Sequence, residues 1–214
     1  MFKRRRPRTY IEAFARSFWP KGGWGRASRY VVHRLRRLPD PAYKISRGIA
    51  AGVFTSFTPF FGFHFVVSTI LAWAIRGNVL AALLATFFGN PVTFPFIAAL
   101  SMEIGSTILG QPNVPLPDIV QGFSRASLEL WSNLIAIFTD DVPHWGRLAD
   151  FFGQVFWPYL IGGFMPGIAA GVAAYFLSKP LITAYQKARV ARLKKKFAKK
   201  REAIRSRQMT RPIE

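Results

Sequence analysis

Residues 49–75 read IAAGVFTSFTPFFGFHFVVSTILAWAI, a run without a single Asp, Glu, Lys or Arg. It is longer than the roughly 18 apolar residues that mark a membrane-spanning candidate. Pro59 and Gly62 nevertheless break it near its middle, within Ser56-Phe57-Thr58-Pro59-Phe60-Phe61-Gly62. Val79–Met102 and Phe151–Ser178 are equally free of charge. Asn90-Pro91 and Pro95 interrupt the second block, and Pro158, Gly162, Gly163, Pro166 and Gly167 the third. Broken backbone at membrane depth is tolerated only where protein buries it or it lines a wet cavity. The reading is an all-α, polytopic membrane protein with Pro/Gly-broken, re-entrant helices, the breaks forming either a shared interior site or several re-entrant hairpins packed together.

Charge sets the orientation. The chain has 214 residues and a formal net charge of +20, concentrated at its ends. Residues 1–48 carry 14 Lys and Arg against 2 acids, 179–214 carry 13 against 2, and 49–178 carry 3 against 6. Hence three regions: a basic arm (1–48), a membrane domain (49–178) and a basic helical tail (179–214), with both ends cytoplasmic by the positive-inside rule. Anionic headgroups are the simplest partner for such ends, nucleic acid a weaker one. The chain has no cysteine, so disulfides and thiolate metal sites are excluded. A cleavable signal peptide is not expected, because no short apolar core follows Met1–Tyr10. A transit-peptide helix is disfavoured by Pro7, Pro20, Gly22, Gly23 and Gly25.

Arg26–Leu38 reads as a short basic helix, stopped by Pro39 and Pro41, lying in the headgroup layer or solvated. Thr183–Gln208 reads as a basic amphipathic helix with Val190, Leu193, Phe197 and Ile204 at heptad-like spacing, suited to lipid contact and less so to self-association. The acidic segment 103–150 is placed on the far face. There Pro112–Pro117 forms a loop before an amphipathic helix with a stripe of Leu128, Trp131, Leu134, Ile135 and Phe138.

Three simple crossings would put one basic end on each side. One block or more must therefore enter and return from the same face, and the first fits best because it leaves Arg76 on the basic side. An internal echo bears on this: Gly48-Ile49-Ala50-Ala51-Gly52-Val53 recurs as Gly167-Ile168-Ala169-Ala170-Gly171-Val172. It reads either as an inverted repeat or as two independent small-residue packing faces.

No hydrolase, nucleotide-loop or metal signature is present, so an enzyme is not expected, and no cofactor. The candidate substrate-binding residues are Pro59, Gly62, His64, Arg76, Asn78, Asn90, Pro91 and Thr93. His64 is either a protonatable group in a re-entrant loop or a neutral imidazole bonded to a carbonyl freed near Pro59, and the second is favoured. Thr55, Ser56, Thr58, Asn90 and Thr93 satisfy backbone groups more readily than they bind a ligand. Helix ends at breaks, however, present free N–H groups to anions. Arg76 is most simply a snorkelling anchor.

Ile49-Ala50-Ala51-Gly52-Val53-Phe54, then Pro59 and Gly62, Arg76-Gly77-Asn78, Asn90-Pro91-Val92-Thr93 and Gly105 follow one another in an order that resembles the bacterial domain of unknown function 2062 family. The resemblance covers about residues 35–180. It implies a bacterial inner-membrane protein without an assigned reaction, in the setting of envelope glycan or lipid-linked sugar chemistry. Where that family often has Gln after the Pro-x-x-Gly turn, this chain has His64, so no proton-handling role carries over.

The expectation is a membrane protein that binds or translocates an anionic or lipid-linked envelope substrate through a notch of broken helices. The rival is a non-transporting scaffold for envelope-assembly enzymes. A nucleic-acid tether is the third reading, and self-association is left open.

Overall fold

The apolar blocks are helical, and the first two are interrupted at Pro59–Gly62 and Asn90–Pro91. The computed structural model describes residues 24–36 and 38–209, and among these no strand occurs. Readings that fall on residues 1–23, including the absent presequence helix, lie outside them. The helices are α1 (Trp24–Arg36), α2 (Ala42–Thr55), α3 (His64–Ala74), α4 (Val79–Ala85), α5 (Phe94–Leu109), α6 (Leu116–Ala136), α7 (Gly146–Phe151) and α8 (Trp157–Met209). A 3₁₀ turn, Thr86–Phe88, extends α4, and a π turn, Phe152–Phe156, joins α7 to α8.

α2 and α3 form a hairpin whose two feet are adjacent. Asn78 N–H donates to Lys44 O at 2.8 Å just after α3 has returned to the level where α2 began. At that foot α3 stops in a Schellman arrangement. Gly77 N–H donates to Ala72 O at 2.6 Å and Arg76 N–H to Trp73 O at 3.0 Å, with Arg76 at φ 53°. Gly77 is needed for another reason, since a Cβ there would press on Arg47 and on the Gly48 nitrogen.

α4 then runs parallel to α2 along a seam of small residues. Gly48 faces the Asn78 carbonyl and Ala81, and Gly52 faces Ala82, Ala85 and Thr86. A Cβ at either glycine would overlap the opposing carbonyl. α5 continues beyond the break in the direction of α4, so the second apolar block is a broken traverse rather than one helix.

α8 returns antiparallel to both. Gly162 packs on Ser101 and Gly105, Gly105 on the Pro158 carbonyl, Gly163 on the Phe57 carbonyl, and Gly171 near Ala50. The two copies of the echoed motif therefore do run in opposite directions. Their glycines face different partners, however: the first copy's face α4, the second's face α2. The opposite directions fit an inverted repeat, and the different partners fit two independent packing faces.

One expectation is corrected. The third block is not broken at its prolines and glycines, because α8 passes through Gly162, Gly163, Pro166 and Gly167 without interruption. The glycines admit neighbouring backbone, and Pro158 follows closely on the π turn, where the i→i−4 ladder is already displaced. From Gly146 through the π turn to Ala198 the helix holds an 18-residue window of mean hydropathy 1.7, long and apolar enough to cross a membrane. His64–Ala74, Val79–Phe88 and Phe94–Leu109 are apolar but shorter.

At the near end Leu38, Ala42, Ile45, Ala81 and Ile182 pack together, with Leu35 of α1 against them. The helix expected at Arg26–Leu38 spans Trp24–Arg36, and its Leu35 docks on the protein. Gln186 Nε2 donates to Asp40 O at 2.9 Å, so the two basic flanks emerge from one end of the molecule.

At the far end α6 begins at Leu116, just inside the expected loop, and packs antiparallel to α7. Glu129 accepts from the N–H groups of Arg147 (3.2 Å) and Leu148 (2.5 Å), capping a helix that has no side-chain cap of its own. Asn133 exchanges two hydrogen bonds with the His144 backbone. The stripe of Leu128, Trp131, Leu134, Ile135 and Phe138 is exposed.

Candidate functional site

The tip of the α2–α3 hairpin and the break between α4 and α5 meet, and one hydroxyl joins them. Ser56 Oγ lies 3.1 Å from Gly52 O and 3.2 Å from Thr86 O, its proton serving either carbonyl, and it accepts from Gly89 N–H at 3.2 Å. The Phe57 and Phe88 rings stack at 6.1 Å over the same junction. Thr58 Oγ1 donates to Thr55 O at 2.6 Å, and Thr55 Oγ1 to Ala51 O at 2.8 Å. These hydroxyls are buried and turned inward onto backbone carbonyls, adding a second hydrogen bond where a backbone N–H already reaches Gly52 O, Thr55 O and Thr86 O.

His64 opens α3. Its Nε2 lies 3.2 Å from Thr58 O, the carbonyl immediately before Pro59. A carbonyl only accepts, so Nε2 carries the proton and Nδ1 faces away from that bond. This is the favoured alternative for His64, an imidazole bonded to a carbonyl beside Pro59. Gly62, at φ 85°, supplies the left-handed residue the tip requires.

Phe61 is the centre of the aromatic packing. Its ring meets those of His64 (5.3 Å), Phe94 (5.0 Å), Phe123 (4.4 Å) and Tyr159 (6.0 Å), all edge to face. The tip is thereby tied to α5, α6 and α8 at once.

Asn90 and Thr93 form a closed turn. Asn90 Oδ1 accepts from Val92 N–H (2.9 Å) and Thr93 N–H (3.2 Å). Thr93 Oγ1 accepts from Asn90 N–H at 3.0 Å and donates to Phe88 O. Pro91 sits exposed between them. As expected for Thr55, Ser56, Thr58, Asn90 and Thr93, the polar groups bond to backbone.

Arg76 and Asn78 do not join this site. They lie at the hairpin's feet, at the opposite end of α2. Asn78 Oδ1 accepts from Ala81 N–H at 2.7 Å as the N-cap of α4, while its Nδ2 donates to Asp40 Oδ2. Lys44 Nζ stands 3.3 Å from Asp40 Oδ1. The Asn78 amide holds the Asp40 carboxyl below its ordinary pKa, with burial opposing and Lys44 assisting. The eight candidate residues thus divide between two sites: Pro59, Gly62, His64, Asn90, Pro91 and Thr93 at the tip, Arg76 and Asn78 at the feet.

Sequence reasoning passed over Asp40, whose partners are distant in sequence; its only local signal is its place between two prolines just before a helix. It also took Glu129 for one more far-face acid, although the residue is buried. Ser46, Ser101, Ser106 and Tyr159 carry buried hydroxyls without partners among the described residues. No three His, Cys, Asp or Glu side chains there come together as metal ligands.

Around the junction Gly62, Phe63, Gly89, Pro91 and Val92 are exposed and outside any helix. Irregular, exposed backbone therefore borders the tip, opposite Gly163 in the apolar stretch of α8.

No curated protein and no solved structure matches the chain. The family described as "Uncharacterized protein conserved in bacteria (DUF2062)" matches residues 25–191, and the chain belongs to it.

Proposed function

We propose that this is a multi-pass bacterial inner-membrane protein, both ends cytoplasmic, that binds and moves an anionic or lipid-linked envelope substrate at the tip of a re-entrant hairpin. The observation that carries the reading is the exposed, non-helical backbone at Gly62–Phe63 and Gly89–Val92, opposite Gly163. From Lys179 to Gly163 along α8 is about 24 Å, so in a bilayer this backbone lies well inside the hydrocarbon layer. The N–H groups of Phe63, Gly89, Asn90 and Val92 have partners in the protein, and irregular backbone that stays exposed at that depth is tolerated where it lines a water-filled notch. His64 stands at the edge of that notch with Nδ1 unpartnered among the described residues. Arg47, Arg76 and Lys179 gather negative headgroups at the near end.

Reconstitution tests it. Vesicles holding the protein are given a fluorescent polyprenyl phosphate and a fluorescent phosphatidylglycerol. The expected result is protein-dependent movement of at least one across the bilayer, slowed in His64→Ala. Absence of binding and movement for both rejects the reading.

A scaffold for envelope-assembly enzymes is favoured by a different observation. Ser56, Thr58, Asn90 and Thr93 are already saturated by backbone, while α6 and the end of α8 present uncovered faces. It predicts that deleting 183–214 abolishes function while His64→Ala is silent.

A further inference from the structure

The distal part of α8 carries a second surface. Among the described residues Gln186 is the last one bonded to the body, and every described side chain from Lys187 to Ala198 is exposed. The helix nevertheless continues to Met209, about 35 Å further at 1.5 Å per residue. No Gly or Pro lies between Leu181 and Met209, so nothing in the sequence provides a sharp bend.

On the membrane reading above, on which this step rests, the apolar stretch of α8 ends at Ser178. Lys187 then stands about 13 Å beyond it, outside a headgroup layer of roughly 5–8 Å. The helix points away from its own bilayer, so the lipid contact expected from sequence is not its natural partner.

One side of this rod is apolar. Val190, Leu193 and Phe197 are 51%, 46% and 68% exposed, and Ile204 follows at the same heptad register. With Val190, Phe197 and Ile204 at a and Leu193 at d, the e positions are Lys187, Lys194 and Arg201. Arg189 and Lys196 occupy g. Residues 187–209 hold 11 bases and the single acid Glu202. Two copies of this helix would set base against base along both edges of the seam. A nucleic acid would use the charge and leave the stripe uncovered.

We infer that the end of α8 is a docking helix for an acidic amphipathic helix of another protein, paired as a heterotypic coiled coil. Glu and Asp at the partner's e and g positions meet the bases, and its apolar seam covers Val190, Leu193 and Phe197.

The full-length protein in phosphatidylcholine nanodiscs is titrated with two designed peptides. One has Glu at e and g and Leu or Ile at a and d; the other is the same composition scrambled. The heptad peptide should bind about tenfold tighter or better, and Leu193→Gln/Phe197→Gln should erase that preference without moving the unfolding temperature. Equal binding of both peptides overturns the proposal in favour of bare charge, and duplex DNA outcompeting the heptad peptide does so in favour of nucleic acid. So does a blue shift of a dye at Leu193→Cys when phosphatidylglycerol replaces phosphatidylcholine, or disulfide pairing of that variant between copies. A protein monodisperse without detergent would remove the membrane reading while leaving the peptide comparison readable.

Discussion

Arg76 and Gly110 occupy the same position in two helix stops of the same kind. After α5, Gln111 N–H donates to Ser106 O and Gly110 N–H to Thr107 O, with Gly110 at φ 63°; after α3, the equivalent left-handed residue is Arg76 at φ 53°. An L side chain in that region costs about 1–2 kcal/mol, which Arg76 partly offsets by placing a cation at a helix C-terminus. Arg76→Gly should stabilise the protein by about 1 kcal/mol and Gly110→Ala should destabilise it by a similar amount. Thermal unfolding of the two variants in one detergent checks both signs. Asp40 makes a second prediction at this scale. Its folded pKa is depressed, so the stability it contributes is present above the ordinary carboxylate pKa and is lost as pH falls through the lower, folded value. Asp40→Asn should flatten the acid side of the stability–pH curve and leave the neutral region's slope unchanged. An unaltered acid limb in the variant would mean that the Asn78 amide contributes nothing. The sequence could not disclose this bond, since Asp40 and Asn78 are neighbours only because the α2–α3 hairpin brings its feet together.

Between elements, glycine decides the spacing. Gly48 and Gly52 let α4 lie on α2, and Gly105, Gly162 and Gly163 let α8 reach α5 and the hairpin tip. The helix breaks at Pro59–Gly62 and Asn90–Pro91 were legible, because Pro and Gly cannot continue a helix without loss. The same residue types in the third block gave the wrong expectation. Composition does not say whether a Gly serves a turn or a contact, and only the partner backbone distinguishes them. The repeated six-residue motif was ambiguous for the same reason, its two copies using their glycines against different helices. A paired substitution makes the distinction measurable. A Cβ at Gly105 would overlap the Pro158 carbonyl, whereas one at Gly153 has nothing within 4 Å. Gly105→Ala should cost about 1–3 kcal/mol or more, as overpacking against backbone does. Gly153→Ala should leave the midpoint of chemical unfolding nearly unmoved. Equal effects would mean that the α5–α8 seam can open without penalty.

At the scale of the molecule, the two basic flanks, the hairpin feet and the distal helix share one end, and the acidic α6–α7 hairpin occupies the other. Charge patterning anticipated this polarity, because Lys and Arg lie almost wholly outside the apolar middle. It could not anticipate that the candidate residues would divide, with Arg76 and Asn78 at the feet and the rest at the tip. Spacing along a chain does not say how far a hairpin reaches before it turns. The natural absence of cysteine makes the arrangement directly testable in sealed vesicles. Arg76→Cys and Lys200→Cys should react with a membrane-impermeant maleimide from the same side, and Arg125→Cys from the opposite one. Phe63→Cys, exposed beside Gly62, should react with a small water-soluble thiol reagent, because a wet notch admits it and hydrocarbon does not. Arg76→Cys labelling from the side of Arg125→Cys would turn the hairpin into a full crossing and would leave the tip with no aqueous path to serve.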